Sequence, residues 1–126
     1  VSTHEISRIP LDGTGGQETV IAGLRMPYGL AIDWMAGNLF WTDRKTKTIE
    51  VSRLDGSSRR VLISGDLEYP AGIALDPAAG YMYWADFDKD RVERAALDGS
   101  RRQRLVTTDI RKPWAITLDL RTRRVY

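Results

Sequence analysis

Phe40-Trp41-Thr42-Asp43 returns 43 residues later as Tyr83-Trp84-Ala85-Asp86, and its first aromatic returns once more as Tyr126. Leu11-Asp12-Gly13, Leu54-Asp55-Gly56 and Leu97-Asp98-Gly99 keep the same interval. So do Pro27, Pro70 and Pro113, and Asp33, Asp76 and Asp119. A period of this length marks a tandem structural unit, in which each copy covers its apolar face with the next.

Working outward from the aromatic stretch, one period predicts four short strands. Pro27 punctuates the chain, and Gly29-Leu30-Ala31-Ile32-Asp33 is apolar, branched and too short for a helix before Gly37. Gly37-Asn38 turns into the aromatic strand at 39–43, and a polar loop at 44–47 follows. Residues 49–54 then alternate apolar and polar up to the second Leu-Asp-Gly turn, and 60–64 close the unit. The next copy repeats this order with strands at 72–76, 81–86, 91–97 and 104–107. Ahead of Pro27, strands are expected at 6–13 and 19–22; after Pro113, one is expected at 114–120. The resulting partition is the second half of a blade at 5–22, full blades at 27–64 and 70–107, and the first half of a blade at 113–126. Four antiparallel strands repeated with aromatic and Gly landmarks describe a β-propeller blade. A β-sandwich also uses short strands, but has no reason to repeat its sequence.

Composition removes several function classes. The chain of 126 residues carries 19 Lys and Arg against 17 Asp and Glu, a formal charge of +2. Arg59-Arg60, Arg101-Arg102 and 121–124 are too short for basic tails and read as solvated turns and strand edges, which argues against nucleic acid. With no cysteine there is neither a disulfide framework nor a thiolate metal site. No apolar run approaches the roughly 20 residues that cross a bilayer, and no direct membrane contact is expected. Asn38 is followed by Leu39 and Phe40, so it is no glycosylation sequon. The single histidine, His4, lies outside every repeat landmark, and no Ser is paired with a base, which leaves nucleophilic catalysis without support.

Together, Phe40-Trp41-Thr42-Asp43 and Tyr83-Trp84-Ala85-Asp86, each preceded by a Pro-x-Gly-hydrophobic-Ala-hydrophobic-Asp strand and followed by Ile-Glu-Val-Ser-x-Leu-Asp-Gly or its like, resemble the YWTD (class B) repeats of the low-density lipoprotein receptor family. Phe40 replaces Tyr, Ala85 replaces Thr, Ala115 stands where Gly29 and Gly72 stand, and Arg123 where Gly37 and Gly80 stand. The resemblance implies an all-β, six-bladed propeller of which this chain supplies about half. It also implies an extracellular setting, in the ectodomain of a single-pass endocytic or signalling receptor or in a basement-membrane relative.

The repeated carboxylates invite a metal reading, but a scaffold role explains them better. Asp12, Asp55 and Asp98 precede Gly in turns where Asp bonds nearby amides, while Asp33, Asp76, Asp119, Asp43 and Asp86 end strands where they can satisfy orphaned donors. Phe40, Trp41, Tyr83 and Trp84 are expected between blades, and Gly29 and Gly72 where inner strands approach closely. No cofactor and no metal is assigned.

Positions at which the copies disagree carry the functional expectation. On the strand order, one face of the disc collects Arg25, Met26 and Tyr28; Arg44, Lys45 and Lys47; Glu68 and Tyr69; Phe87, Asp88 and Lys89; and Arg111, Lys112 and Trp114. Tyr, Trp and Arg are enriched at interface hot spots. The resemblance implies that this face docks protein or peptide ligands, with contributions from the positions matching Glu50, Glu93 and Arg94. The leading reading is therefore a non-enzymatic binding module. A calcium-dependent six-bladed hydrolase would need oxygen ligands where Tyr28, Ala71 and Trp114 stand, and a purely structural spacer remains a third reading. The other expected partners are the remaining blades of the ring or a second copy of the chain, with 114–126 pairing beside 6–22.

Overall fold

The computed structural model describes residues 4–106 and 110–126. Twelve strands among them form four antiparallel sheets. β1 (His4–Arg8) pairs with β2 (Glu18–Leu24). The meander β3 (Pro27–Asp33), β4 (Asn38–Asp43), β5 (Thr48–Arg53) and β6 (Arg60–Ile63) makes one complete blade. β7 (Pro70–Asp76), β8 (Tyr81–Asp86), β9 (Arg91–Ala96) and β10 (Gln103–Val106) make the next, and β11 (Leu118–Asp119) pairs with β12 (Arg124–Val125). The two complete blades share one register: Leu30 opposes Trp41 and Trp41 opposes Glu50, as Ile73 opposes Trp84 and Trp84 opposes Glu93. Pro27 and Pro70 begin their strands, where a missing N–H costs the ladder nothing, and each is followed by an irregularity before pairing resumes.

Strand limits differ from the sequence reading most at the two ends of the chain, and by one or two residues elsewhere. β1 ends at Arg8 rather than at 13, because Pro10 cannot donate to a ladder and its carbonyl instead accepts the turn bond from Gly13 N–H at 3.2 Å. The strand expected at 114–120 is paired only at its far end, where Thr117 and Tyr126 exchange backbone bonds of 2.9 and 2.8 Å beside β11 and β12. Its first residues lie along β7 instead. β10 begins at Gln103; the expected terminal residue, Thr107, lies outside the described residues.

The core sits between blades. Phe40, Ile49 and Val51 of the first complete blade pack with Met82, Trp84 and Ala95 of the second. Trp41 and Leu39 pack on Ile21 and Leu24 of β2. Both tryptophans are fully buried, and each such ring removes roughly 150–250 Å² from water.

Inner strands approach closely because of glycine. A Cβ on Gly29 would lie 2.5 Å from the Ala71 carbonyl oxygen, and one on Gly72 2.9 Å from Ala115 Cα. The first junction is bridged by Thr42, whose hydroxyl accepts from Gly29 N–H at 2.8 Å and donates to the Ala71 carbonyl at 2.8 Å. In the second copy Ala85 has no hydroxyl, and Gly72 N–H donates directly to the Trp114 carbonyl at 3.0 Å. The loosened motif thus keeps its interblade bond by a shorter route. Arg123, in the place of Gly37 and Gly80, keeps their left-handed backbone, with φ 57° against 74° and 80°.

Gly29→Ala and Gly72→Ala should each destabilise the chain by about 1–3 kcal/mol, as overpacking does. The same exchange at Gly16, where nothing lies within 4 Å of the built Cβ, should change stability little. Urea denaturation followed by tryptophan fluorescence distinguishes the three.

Candidate ligand-binding face

The carboxylates that close the aromatic strands build one face of the molecule. Asp43, 1% exposed, accepts from the backbone N–H groups of Arg25 (3.0 Å), Met26 (3.1 Å), Lys45 (2.9 Å) and Thr46 (3.2 Å). Asp86, fully buried, accepts from those of Glu68 (2.9 Å), Tyr69 (3.1 Å) and Lys89 (3.0 Å). Each ties the segment entering an inner strand to the turn after the aromatic strand, and backbone bonds from Arg44 to Met26 and from Phe87 to Tyr69 lock the same pairs. The two segments hold the varied side chains.

Four of those side chains meet. Tyr28 and Trp114 stand edge to face at 4.8 Å between centroids, Phe87 and Trp114 at 4.9 Å, and Tyr69 lies 4.9 Å from Phe87 and 5.6 Å from Trp114. Ala71 occupies the repeat position between Tyr28 and Trp114 and is fully buried; its small side chain leaves room for the two rings to touch. Tyr28 and Trp114 are 41% and 45% exposed. The Arg44 guanidinium lies 4.0 Å from the Tyr69 centroid and the Lys112 ammonium 5.2 Å from that of Phe87. Lys47 pairs with Glu68 at 2.7 Å and Lys112 with Asp88 at 3.2 Å. Met26, Arg44, Lys45 and Lys47 surround a depression of about 320 Å³ beside this cluster. Arg25 and Arg111 are exposed.

Three expected face residues lie elsewhere. Glu50 and Glu93 are 5% and 2% exposed, inside the sheet stack beneath the outer strands. Glu50 accepts from Arg59 Nε at 3.0 Å; Glu93 accepts from Arg91 Nε at 3.1 Å and Arg102 Nε at 2.9 Å. Arg59 and Arg102 lie 5.5 Å from the Trp41 and Trp84 ring centroids and donate to the carbonyls of Ala22 in β2 and of Gly65 just after β6. Buried carboxylates need such partners, so these glutamates clamp blades together instead of meeting a ligand. Arg94 lies over Tyr81, 4.7 Å from its centroid, at the opposite end of the aromatic strand.

The reading of the other carboxylates agrees with the geometry. Asp55 and Asp98 accept from the hydroxyls of Ser57 and Ser100 and from their N–H groups at 2.9 Å, and Asp12 from the N–H of Thr14 at 2.9 Å and its hydroxyl; these bonds lower the three pKa values. Among the described residues no group of three or more His, Cys, Asp or Glu side chains could hold a metal ion.

A charged cluster went unread in the sequence. Asp66 adopts a left-handed φ of 54° where the first copy has Gly23 at 74°. Its carboxylate meets Lys89 Nζ at 2.9 Å, Arg91 Nη2 at 2.7 Å and Arg104 Nη2 at 3.4 Å. Hydrogen bonds from Lys89 and Arg91 hold that carboxyl well below the usual carboxylate range. The corresponding first-copy residues are Gly23, Thr46, Thr48 and Val61, so the junction between the two complete blades holds a charged network that the one before it lacks.

The family model described as low-density lipoprotein receptor repeat class B matches residues 37–77 and 80–120. That is more than half of the chain, and the chain belongs to this family. Low-density lipoprotein receptor-related protein 5 of Mus musculus is 48% identical over 56 residues, 43% of this chain and 4% of that protein. Protein cueball of Drosophila grimshawi is 36% identical over 57 residues, 43% of this chain and 9% of that protein. Among solved structures, a chain of a nidogen/laminin complex matches with a TM-score of 0.89 at 36% identity, covering 94% of this chain and 46% of that one. A gluconolactonase of Xanthomonas campestris matches with a TM-score of 0.81 at 22% identity, covering 99% and 41%, and shares the fold alone. The chain therefore spans less than half the length of each of these proteins.

Glu93→Ala should cost about 1–3 kcal/mol, since Arg91 and Arg102 both lose a buried carboxylate while Arg91 keeps Asp66. Glu50→Ala should cost less, because its one charged partner, Arg59, can reach water. Asp66 contributes stability that is fully present above its unfolded pKa of roughly 3.9 and is lost as pH falls through the depressed folded value. In acid titrations, Asp66→Asn should match the parent chain in strong acid, fall behind it as the pH rises towards about 4, and stay behind by a constant margin above that.

Proposed function

We propose that this chain is part of an extracellular, non-enzymatic propeller of a receptor ectodomain or a basement-membrane relative, and that its loop face docks a protein ligand or a neighbouring module. The observation that carries the reading is the contact of Tyr28, Tyr69, Phe87 and Trp114 on one face, with half-exposed rings at its centre. Rigid aromatic side chains bury large area at small entropic cost, which is what interface anchors require. The family membership and the nidogen/laminin match support it. Against the hydrolase reading, Tyr28, Ala71 and Trp114 bring no carboxylate to the inner-strand ends.

A second surface is proposed to meet the rest of a ring. Leu30 and Ile32 of β3 are 51% and 52% exposed, and with Ile6, Val20 and Leu39 they line an apolar groove of about 270 Å³. The matching residues of β7, Ile73 and Leu75, are covered by Ala31 and Phe40 of the first complete blade. An inner hairpin of the same repeat, from the remaining blades or from a second copy, fits the groove. Light scattering on this 126-residue chain tests the copy: a dimer supports it, and a stable monodisperse monomer overturns it.

The docking face is tested by selecting binders to the chain from a displayed peptide library. Tyr28→Ala and Trp114→Ala should each weaken the selected peptides by at least about 2 kcal/mol, roughly 30-fold. Trp34→Ala, at an exposed turn on the opposite face, should leave them unchanged. Peptides sensitive only to Trp34 would overturn the assignment.

A further inference from the structure

The carboxylates of the loop face are committed and several of its cations are not. Glu68 is held by Lys47 at 2.7 Å, Asp88 by Lys112 Nζ at 3.2 Å, and Asp90 accepts Lys112 N–H at 2.7 Å. Asp43 and Asp86 are buried and turned to backbone donors. Asp66 is shared by Lys89, Arg91 and Arg104. Arg25, Arg44 and Lys45 have no carboxylate partner among the described residues. Arg44 is also pre-positioned, because its guanidinium lies 4.0 Å from the Tyr69 centroid, and Tyr69 in turn touches Trp114. A guanidinium resting on a ring keeps its N–H donors at the ring's edge, where they suit a carboxylate.

From this juxtaposition we infer that the face takes an acidic peptide segment of a partner protein. An apolar or aromatic anchor seats against Tyr28 and Trp114, and flanking carboxylates reach Arg25, Arg44 and Lys45 around the adjoining depression. The inference rests on the docking-face reading and adds the chemistry of its partner. An aromatic floor beside a compact group of cations favours such a segment over a polyanionic polysaccharide, which would track a longer basic strip. Charge complementarity of this kind sets partner choice and speeds encounter.

The test is fluorescence anisotropy of the 126-residue chain with three labelled short peptides, each with a central Trp flanked by Asp and Glu, by Asn and Gln, or by Lys and Arg. The acidic peptide should bind at least about tenfold tighter than the neutral one, which is about 1.4 kcal/mol. That advantage should shrink between roughly 0.05 and 0.5 M salt, as the Debye length contracts. Arg44→Gln with Lys45→Gln should remove it, whereas Arg60→Gln with Arg101→Gln, in the outer strand β6 and the turn before β10, should not. Equal binding of acidic and neutral peptides, both lost in Trp114→Ala, would overturn the charge inference and leave the docking face standing. Absence of binding by all three would overturn both. Tighter binding of a heparin fragment, insensitive to Trp114→Ala, would also overturn the inference in favour of a polysaccharide elsewhere on the chain.

Discussion

Two buried carboxylates hold this architecture in place. Asp43 and Asp86 gather the amides of two segments separated by about half a repeat, the linker into an inner strand and the turn after the aromatic strand. Amides left without partners inside a protein cost on the order of 1–3 kcal/mol each, so linker and turn cannot drift apart. Everything on the loop face follows from that tether. Met26 and Arg44, or Tyr69 and Phe87, are neighbours because a direct backbone bond joins them beside the carboxylate that ties their segments.

The repeat is a scaffold with two kinds of freedom. Where a hydrogen bond is needed, the copies reach it differently: Thr42 bridges one junction by its hydroxyl, and the Ala85 copy lets the strands bond directly. Where packing leaves room, one copy adds what the other lacks. Asp66 accepts a left-handed backbone, uncommon for a residue with a Cβ, and recovers three cationic partners. Gly23 takes the same turn without cost and without partners. The junctions thus share a hydrophobic plan of tryptophan, arginine and glutamate, and differ in electrostatics.

How much was legible depended on whether the 43-residue interval reached the residue in question. Strand order, the turn aspartates, the interblade tryptophans and the close-approach glycines could all be read, since each returns at the same place. Glu50 and Glu93 also return, as do Arg59 and Arg102; that regularity marks them as scaffold, and assigning the glutamates to a ligand face set it aside in favour of a resemblance. The end of β1 was missed although Pro10 marks it locally, and the pairing around Trp114 was missed because it depends on the neighbouring strand and not on local pattern.

The sequence by itself determined the repeating unit, its four strands and the list of varied loop residues, because period-2 patterning, glycine turns and a fixed interval are local or self-referential properties. Only the tertiary structure decided which varied residues meet. Tyr28, Tyr69 with Phe87, and Trp114 come from three successive copies, and their rings touch because a buried Ala71 keeps the space between them small and open. It also decided which charges remain available, since Glu68 and Asp88 find cations from other loops while Arg44 finds a ring. Such pairings are set by the distance between segments far apart in the chain, and no spacing within one copy encodes that distance.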